Sequence, residues 1–318
     1  MKDNIKNNIF EIAQKNAKKV KYISENDYLK DDLTHENIYI KFKKNNTIEY
    51  RDNNYIRGEL FINVLKEKVI PTLSIKNDFI LNFNLHDIYN EDGILTFGSK
   101  IDSKSVLIPD IYQMYNYKDT IKENIYNDTE FNKKINKIIF VGSTTGNINI
   151  QLNKRINTCI WGNTDNWAIN NTFFKITNIV QIPKDLLYLY TKKYNLNIDS
   201  ILSNNITINQ QLKYKYILSI DGNTWAWDRP VWIMNSNSLF FKYESDNIGW
   251  YYNFLQEDKH YISVTTENME KKYNFFENNT NQALEIINNS KKFVKDYCSE
   301  EAWIFYFKSL MEEINNNI

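Results

Sequence analysis

The sequence has little of what marks several common classes of protein. It contains only two cysteines, Cys159 and Cys298, and they form no CxxC or other metal-ligand spacing. A secreted chain of 318 residues more often carries several disulfides, so a reducing compartment is favoured. No run of about 18 apolar residues occurs, so no membrane-spanning helix is predicted. Basic and acidic residues balance at 39 each, so no overall field points to nucleic acid or to an anionic membrane.

Short motifs of several hydrolase classes are missing too. The three histidines, His35, His86 and His260, form no HExxH pattern, and no GxSxG elbow is present. The chain also has no Asp-x-Asp pair, the usual clamp for a metal-bound diphosphate. A metal or serine hydrolase is therefore disfavoured. The N-terminal segment lacks the apolar core of a signal peptide, so a cytoplasmic location is expected, in a microbe or, for a viral protein, in the host cell or virion.

Aromatic residues are abundant, with 22 Tyr, 18 Phe and 7 Trp. In the first half of the chain, apolar spacing predicts one helix over 5–22 and another over 58–70. Strand-like runs lie at 38–42, 48–50 and 78–85. The polar segment 117–137 is expected to form a helix followed by an inter-domain link.

Strands and helices alternate in the second half of the chain. Strands are predicted over "KIIFV" (137–141), "KYKYILSI" (213–220), "SLFFK" (238–242) and "HYISV" (260–264). Helices are predicted around 150–161, over 225–235 and over 246–255. From Glu267 the chain is expected to be helical almost to its end, with breaks near Asn278 and Asn289. This alternation is typical of parallel α/β construction, in which sites lie at the carboxyl ends of strands.

The segment "IIFVGSTTGN" (138–147) runs from an apolar strand into a Gly-Ser-Thr-Thr-Gly turn. Glycines let the backbone approach a ligand, and successive N–H groups with hydroxyls form an anion cradle. The turn is neither a Walker A loop nor a GxGxxG motif. A plain strand-to-helix turn explains the same residues, so the pattern leaves both interpretations open. Arg155, further along, is placed either to reach back to this loop or to cap a surface helix.

Asp87 follows the alternating strand of "LNFNLHDIY" (81–89). One interpretation is a turn-former or helix cap after the strand. The other is a general base held on rigid scaffold, since a hydroxyl nucleophile needs a carboxylate to take its proton as it attacks an activated carbon. The local sequence does not decide between them.

A third polar cluster lies in "SIDGNTWAWDRPVWIMN" (219–235). Asp221, Gly222 and Asn223 end a strand, and Arg229 is near the start of the next predicted helix, where it suits a diphosphate. An ion pair with Asp228 or with Asp221 itself explains Arg229 equally well. The three tryptophans of this stretch cannot share one helical face, so at least one is expected at a cleft or interface, where an aromatic ring stacks on a base or sugar. For each ring taken singly, core packing is the favoured interpretation.

In chain order these segments resemble glycosyltransferase family 90, which includes lipopolysaccharide-modifying and capsule-associated enzymes and the Rumi-type protein O-glucosyltransferases. "FVGSTTG" with "NKR" (140–155) is similar to the family's Phe-Arg-Gly-Ser-x-Thr-Gly loop and its following Asn-x-Arg. "KYKYILSIDGN" resembles its Lys-Tyr-(apolar)-Asp-Gly-Asn segment, and "WYYNFLQEDKHYISV" (250–264) its Phe-Tyr…His-Tyr-x-Pro-Val element. "LNFNLHD" resembles Ile-Asn-x-x-Asp, and "LIPD" (107–110) its Ile-Pro-Asp. The resemblance spans roughly 75–315.

Two departures from the family pattern concern phosphate contacts. Val141 stands where many members have Arg, and Arg229 is one residue later than the family's Arg, so Asp228 is read as an insertion. These departures favour a rival interpretation, a catalytically inactive carbohydrate- or nucleotide-binding protein. A nucleotide-sugar hydrolase, which differs only in using water as acceptor, is a third possibility.

The resemblance implies an α/β fold of two Rossmann-like domains facing across a cleft, the GT-B type. Its lobes are expected at 1–130 (acceptor and catalytic base) and 131–290 (nucleotide sugar), with a helix at 291–318 returning to the first lobe. It implies inverting transfer of a sugar, glucose or xylose, from a UDP-sugar co-substrate to a hydroxyl on a glycan or protein, without metal or other cofactor. Asp87 is the implied base. The implied donor-binding residues are Gly142, Ser143, Thr144, Thr145, Gly146, Arg155, Asp221, Gly222, Asn223, Trp225, Arg229 and Lys242.

Overall fold

The computed structural model describes residues 1–30, 37–52, 56–87, 91–116 and 128–318. The chain divides into two compact units. The first unit comprises Met1–Lys118, Asp246–Phe254 and Lys295–Ile318, and the second comprises Asp119–Ser245 and Leu255–Val294. The short segment 246–254 therefore lies in the first unit, whereas the sequence-based division assigned it to the second lobe. The arrangement of two lobes across a cleft stays a prediction.

The first unit combines short strands with helices at both ends of the chain. Its helices are α1 (Asp3–Ala17), α2 (Glu25–Leu29), α3 (Ile56–Val64), which continues as a π-helical turn over Leu65–Val69, and α4 (Ile111–Asn116). Its strands are β1 (Asn37–Lys43), β2 (Thr47–Arg51), β3 (Phe79–Asn84), β4 (Leu95–Thr96), β5 (Ser99–Lys100) and β6 (Val106–Leu107). The strands and helices predicted over 38–42, 48–50, 58–70 and 78–85 are confirmed. The helix predicted over 5–22 ends earlier, at Ala17.

The main sheet of the first unit is mixed rather than parallel. Its order is β2-β1-β3-β4-β6, with β1 antiparallel to both β2 and β3 and with β3, β4 and β6 parallel. A Rossmann-like parallel sheet, expected in both domains, is therefore wrong for the described part of this unit. The reason is local: Asn46, with φ 57°, turns the chain tightly between β1 and β2, and so short a connection permits only antiparallel pairing.

The last helix of the chain belongs to the core of the first unit. This helix, Glu300–Asn316, places Phe307 against Phe61 and Phe83 with ring centroids 6.2 and 6.4 Å away. All three rings are fully buried. Tyr306 of the same helix accepts a hydrogen bond from Asn16 at 3.0 Å and donates one to the Leu107 carbonyl at 2.6 Å. The terminal helix is thus tied to both α1 and β6.

The second unit is built on a parallel sheet. Its strands are β7 (Ile135–Ser143), β8 (Thr172–Asn178), β9 (Tyr214–Ser219), β10 (Leu239–Tyr243) and β12 (Ile262–Val264). The strand between the last two, β11 (Asn247–Ile248), belongs to the first unit, where it pairs with β5. Its helices are α5 (Lys154–Thr164), α6 (Asn166–Asn171), α7 (Lys184–Lys192), α8 (Ile208–Gln211), α9 (Arg229–Met234), α10 (Met269–Asn278) and α11 (Thr280–Tyr297). The last residues of α11, from Lys295, belong to the first unit. The terminal helix of the first unit, Glu300–Asn316, is α12. The predicted α/β alternation is confirmed here. In "KIIFV" the consecutive residues 138–141 are all buried, so this strand is covered on both faces, as is usual in parallel sheets.

The strand order of this sheet is β12-β10-β9-β7-β8, and every neighbouring pair is parallel. From β7 the chain first adds β8 on one side and then β9 on the other. The direction of winding therefore reverses between β7 and β9. In open α/β sheets the crevice at the carboxyl ends of two such strands is where ligands bind.

Three predicted helical segments differ from the structure. Residues 225–228 are not helical, because Trp227 has a left-handed backbone with φ 51°, and α9 begins only at Arg229, followed by Pro230. Residues 246–255 form a short strand and a 3₁₀ turn instead of a helix. The expected break near Asn289 is absent, since α11 runs unbroken to Tyr297, whereas the break near Asn278 is confirmed. Most of the helix and link predicted over 117–137 lies outside the described residues.

Candidate functional site

The Gly-Ser-Thr-Thr-Gly turn (142–146) begins within the last two residues of β7, at the reversal point of the parallel sheet, and the register with β8 shifts between Gly142 and Ser143. Ser143 and Thr145 face each other, with their hydroxyl oxygens 2.9 Å apart. Gly146 has φ 126°, a backbone region in which a residue with a side chain is strained. The N–H of Gly146 donates to the side chains of Gln181 and Asn223, both at 3.0 Å. The turn is therefore held to the loops that follow β8 and β9.

Thr144 has a different place from its neighbours. Its side chain is fully buried, and its hydroxyl accepts the N–H of Val180 at 2.9 Å. Its own N–H donates to the Asn178 carbonyl at 2.9 Å. Thr144 thus joins β7 to the end of β8. The hydroxyls of Ser143 and Thr145 instead accept hydrogen bonds from a nearby cation.

That cation is Arg155, near the start of α5. Its Nη1 donates to the Thr145 hydroxyl at 2.6 Å and to the Ser143 hydroxyl at 3.1 Å. Its Nε donates to the backbone carbonyls of Ile220 and Asp221 at 3.1 and 3.2 Å. The sequence left open whether Arg155 reaches back to the loop after β7 or caps a surface helix, and the structure shows that it reaches the loop.

The loop after β9 closes over Arg155. A Cβ atom at Gly222 would lie 2.7 Å from the Thr145 hydroxyl and 3.0 Å from Arg155 Nη2, so only glycine fits at this position without displacing one of them. Asp221 takes a hydrogen bond from Ser245, but its second carboxyl oxygen, Oδ2, is enclosed without a hydrogen-bond partner in the described chain. Burial raises the pKa of Asp221, against the opposing charges of Lys242 and Arg155.

Arg229 is the second cation of this region. Its Nη2 donates to the Val141 carbonyl at 2.5 Å and its Nη1 to the Gln211 side chain at 3.2 Å. The guanidinium lies over the rings of Phe140 and Trp232, 5.9 and 5.5 Å from their centroids. Arg229 therefore anchors α9 to β7.

Arg155 and Arg229 form no direct ion pair with a carboxylate of the described residues. Within the described ranges, no Asp or Glu oxygen lies within 4 Å of the guanidinium nitrogens of Arg155 or Arg229, so the ion pairs weighed for Arg229 do not form. Desolvation lowers the pKa of each guanidinium to about 10, and the charge of Arg155 contributes to the shift at Arg229. The charge of Asp221 opposes this shift at Arg155, and that of Asp228 opposes it at Arg229, but neither offsets the desolvation. Two largely buried positive charges without a direct ion pair favour an anionic ligand, because an unpaired charge in a protein interior is costly.

Lys242 lies on β10, directly beside Ser219 of β9 in the sheet register. Its side chain is buried, and its ammonium is 5.9 Å from the ring centroid of Tyr261. Its charge is close enough to oppose the rise in the pKa of Asp221. Lys242 thus adds positive charge beneath the loop after β9.

The tryptophans of the third cluster differ in exposure. Trp225 and Trp232 are buried, and Trp225 Nε1 is enclosed without a hydrogen-bond partner in the residues that the structure describes. Trp227 is partly exposed and packs on Trp225 with ring centroids 4.8 Å apart. Of the three, Trp227 therefore has the surface for stacking on a ligand, although the sequence singled out Trp225.

Asp87 belongs to the first unit, just beyond β3. Its Oδ1 accepts a hydrogen bond from Arg57 Nη2 at 2.8 Å, and about a fifth of its side chain is exposed. The preceding His86 is exposed. The structure thus places a fixed, accessible carboxylate at a strand end.

Sequence reasoning assigned no role to two residues that shape the loop after β7. Asn153 is fully buried; its Nδ2 donates to the carbonyls of Thr144 and Asn147 at 3.2 and 3.0 Å, and its Oδ1 accepts from Ile156 N as the cap of α5. An Asn directly before a helix is a recognisable capping signal. Gln181, which accepts from Gly146, carries no such local signal.

Among the described residues, no group of three His, Cys, Asp or Glu side chains lies close enough to hold a metal ion. None of the helices in the described ranges has the length and apolar character to cross a membrane.

The family model for glycosyl transferase family 90 matches residues 94–316, well over half of the sequence. The chain belongs to glycosyl transferase family 90. The matched residues include the loop after β7, both arginines and the loop after β9. Asp87 lies outside them, so its role rests on the resemblance of "LNFNLHD" and on its geometry.

Similar proteins of known sequence or structure add little to this family assignment. Uncharacterized protein 179R of Invertebrate iridescent virus 6 is 23% identical over 246 residues, which are 71% of this chain and 21% of that protein. The family 90 chain thus spans about a fifth of the length of this curated relative. Among solved structures, TarM gives a TM-score of 0.41 at 15% identity, covering 57% of this chain and 36% of TarM. The C-terminal domain of LpcC from Francisella tularensis, a glycosyl transferase group 1 family protein, gives 0.34 at 12% identity, covering 60% and 94%. Both scores are too low to support an inference.

Proposed function

We propose that this chain is an inverting, metal-independent glycosyltransferase that moves a sugar from a UDP-sugar to a hydroxyl on a glycan or protein. The observation that carries the proposal is a pair of largely buried guanidiniums, Arg155 and Arg229, beside the loops after β7 and β9, neither of which forms a direct ion pair with a described carboxylate. A nucleoside diphosphate supplies negative charge at this point. Membership of a glycosyltransferase family makes a nucleotide sugar the natural source of that diphosphate.

The residues around Arg155 suit a diphosphate in both charge and hydrogen bonding. Arg155 already orients the hydroxyls of Ser143 and Thr145. Charge-assisted hydrogen bonds to phosphate oxygens are shorter and stronger than neutral ones. As the bond to the sugar breaks, charge accumulates on the leaving diphosphate, and each preorganised donor typically contributes ~3–4 kcal/mol to stabilising it. This set of donors provides the stabilisation that a metal ion supplies in other transferases.

Asp87 is proposed as the general base. The acceptor oxygen attacks the anomeric carbon from the face opposite the diphosphate, and a new C–O glycosidic bond forms. The bond between the anomeric carbon and the diphosphate oxygen breaks with its electron pair remaining on the diphosphate. The acceptor proton passes to the Asp87 carboxylate, a transfer that typically accelerates such steps by about 10²–10⁴-fold. The products are an inverted glycoside and UDP.

The donor proposal is tested by thermal shift and calorimetry with uridine, UMP and UDP, each with and without a chelator. UDP is expected to bind far more tightly than UMP, because the second phosphate reaches the arginines, and the chelator is expected to change nothing. Equal affinity for uridine and UDP would contradict the assignment of the diphosphate site.

The catalytic proposal is tested with UDP-glucose and UDP-xylose and a panel of glycan and peptide acceptors. Asp87→Asn is expected to abolish transfer while leaving UDP affinity and Tm unchanged, and Asp102→Asn, at an exposed carboxylate of the same unit, serves as the control. Full activity of the Asp87 variant would remove Asp87 from the mechanism. Release of free sugar without a transferred product would identify a hydrolase instead.

A further inference from the structure

The carboxylate of Asp87 is held by a side chain that lies 30 residues earlier in the sequence. Arg57, on α3, donates through Nη2 to Asp87 Oδ1 at 2.8 Å and through Nη1 to the Leu85 carbonyl at 3.1 Å. The guanidinium is planar and rigid, so the two bonds have a fixed relative geometry. The orientation of the carboxylate is therefore tied to the backbone at the end of β3.

The turn that carries Asp87 is itself held by side-chain hydrogen bonds of Asn84 and Asn37. Asn84, the last residue of β3, accepts the N–H of His86 on its side-chain oxygen at 3.0 Å. Its amide nitrogen donates to the side chain of Asn37 on β1 at 2.7 Å, and both asparagines are buried. An Asn side chain that bonds to the backbone two residues later is a defined turn. The backbone beneath Asp87 is thus held by β1 and α3 together.

The position of α3 depends on the residue next to Arg57. A Cβ atom at Gly58 would lie 2.7 Å from Ile38 Cδ1 on β1, closer than side chains normally approach. Glycine at this point lets α3 pack directly against the sheet. Arg57 projects from the same turn of the helix and reaches the end of β3.

We propose that Arg57 is a positioning residue, which fixes the Asp87 carboxylate in the orientation needed to accept the proton of the acceptor hydroxyl. This inference rests on the proposed role of Asp87 as the base. A displacement of about 1 Å in a reacting group lowers rates by as much as 10²-fold, so a rigid hold on the carboxylate has a direct catalytic consequence. The exposed fractions of the two side chains, 20% and 21%, leave the pair accessible to a substrate.

The test uses Arg57→Gln, Arg57→Lys and a control at an unrelated ion pair. Lys68 and Glu300 form a pair at 3.2 Å in the same unit, with similar exposed fractions of 29% and 30%, so Lys68→Gln removes a comparable interaction. Turnover is measured as UDP release from UDP-glucose or UDP-xylose, and kcat and KM are determined separately. Arg57→Gln is expected to lower kcat about 10- to 100-fold with little change in KM for the donor. Arg57→Lys is expected to recover part of kcat, since it keeps the charge but loses the second bond, and Lys68→Gln is expected to behave as the wild type.

UDP affinity and Tm separate positioning from a general loss of structure. If Arg57 acts through Asp87, Arg57→Gln lowers kcat while UDP affinity is unchanged and Tm falls no further than in Lys68→Gln, whereas a general loss of structure lowers all three. Wild-type kcat in Arg57→Gln, with Asp87→Asn inactive, would overturn the inference and leave the assignment of the base intact. An active Asp87→Asn would instead overturn the proposed function, and the inference with it.

Crystal structures test whether Arg57 orients Asp87 without any measurement of enzyme activity. Crystal structures of the wild type and of Arg57→Gln are expected to show the Asp87 carboxylate in different orientations on an unchanged β3. An Asp87 carboxylate that stays within about 0.5 Å of its wild-type position, the tolerance of a preorganised site, would overturn the inference.

Discussion

Arg155 Nη1 and Thr145 Oγ1 are joined by a hydrogen bond of 2.6 Å, and through it a helix residue is fixed to the loop after β7. The same guanidinium binds the carbonyls of Ile220 and Asp221 at the end of β9. Arg155 thus bridges the two strands between which the winding of the sheet reverses. A cation at this point links the two loops.

Replacing Arg155 is expected to weaken binding of UDP. Each hydrogen bond to a charged group is worth about 1.5–3 kcal/mol, so Arg155→Gln should lower UDP affinity about 10- to 100-fold in calorimetry. Arg155→Lys should recover only part of the loss, because a lysine lacks the fork that spans both loops. Arg51, whose guanidinium binds the Lys30 carbonyl at 2.7 Å in the first unit, provides the control variant Arg51→Gln. UDP affinity unchanged in Arg155→Gln would exclude it as a diphosphate contact.

A methyl group at Gly222 is expected to disturb the same site without removing any charge. The new Cβ atom would lie 2.7 Å from the Thr145 hydroxyl and 3.0 Å from Arg155 Nη2, so one of them must move. Gly222→Ala should therefore lower UDP affinity by about tenfold or more, measured with Tm on the same preparation. Gly162→Ala, on α5, is the matched control, because its Cβ would lie 2.7 Å from Phe174 and 3.1 Å from Thr172 on β8 and would touch neither loop. If both variants bind UDP equally well, the close packing around Gly222 has no role in the donor site.

Removal of one partner of the ion pair of Lys134 and Asp128 is expected to destabilise the second unit strongly. Their charged atoms are 2.6 Å apart, and the exposed fractions of the two side chains are 0% and 2%. Asp128→Asn leaves the Lys134 ammonium buried without its counter-ion, which typically costs about 3–5 kcal/mol in the free energy of unfolding. Glu130→Gln breaks the neighbouring exposed pair with Lys133 and should cost less than about 1 kcal/mol. Denaturant unfolding of the two variants compares them directly, and similar losses would contradict the assignment.

His260 is expected to make the protein less stable in acid. Burial, helped by the charge of Lys259, lowers the pKa of His260 to about 4, and its Nδ1 accepts the N–H of Gln256 at 3.0 Å. The folded state therefore favours the neutral ring and binds fewer protons than the unfolded chain between about pH 6.5 and pH 4. Stability should fall across this window as the pH is lowered, by about 2–3 kcal/mol from this residue.

The contribution of His260 is isolated by comparing unfolding free energies at pH 7 and pH 4 in the wild type and in His260→Asn. The variant is expected to be less stable at pH 7, where the packing of the ring on Phe293 is lost, and to show a smaller decrease in acid. His86→Asn, at an exposed histidine, should keep the wild-type pH dependence. An unchanged pH dependence in His260→Asn would show that the acid response arises elsewhere.

The strands of the second unit were predictable because their signal is local. The apolar residues 138–141 and 239–241 are buried on both faces of the sheet, and their short runs of β-branched and aromatic residues favour strands over a buried helix. The helix predicted over 225–235 was wrong in its first turn. There the left-handed backbone of Trp227 interrupts a sequence that has helical spacing. Such a backbone is set by packing around the loop, which the sequence pattern does not show.

The sequence by itself determined the family, the alternation of strands and helices in the second unit, and the candidates for the donor loop. These follow from residues that are adjacent in the chain: a hydrophobic run, a glycine turn, an Arg near the start of a helix. Only the tertiary structure decided which candidates meet. It showed that Arg155 reaches the loop while Thr144 and Trp225 are buried, that Arg229 has no carboxylate partner in the described chain, and that Arg57 holds Asp87. Contacts between residues far apart in sequence depend on the register of strands and the packing of helices, and a local pattern does not encode them.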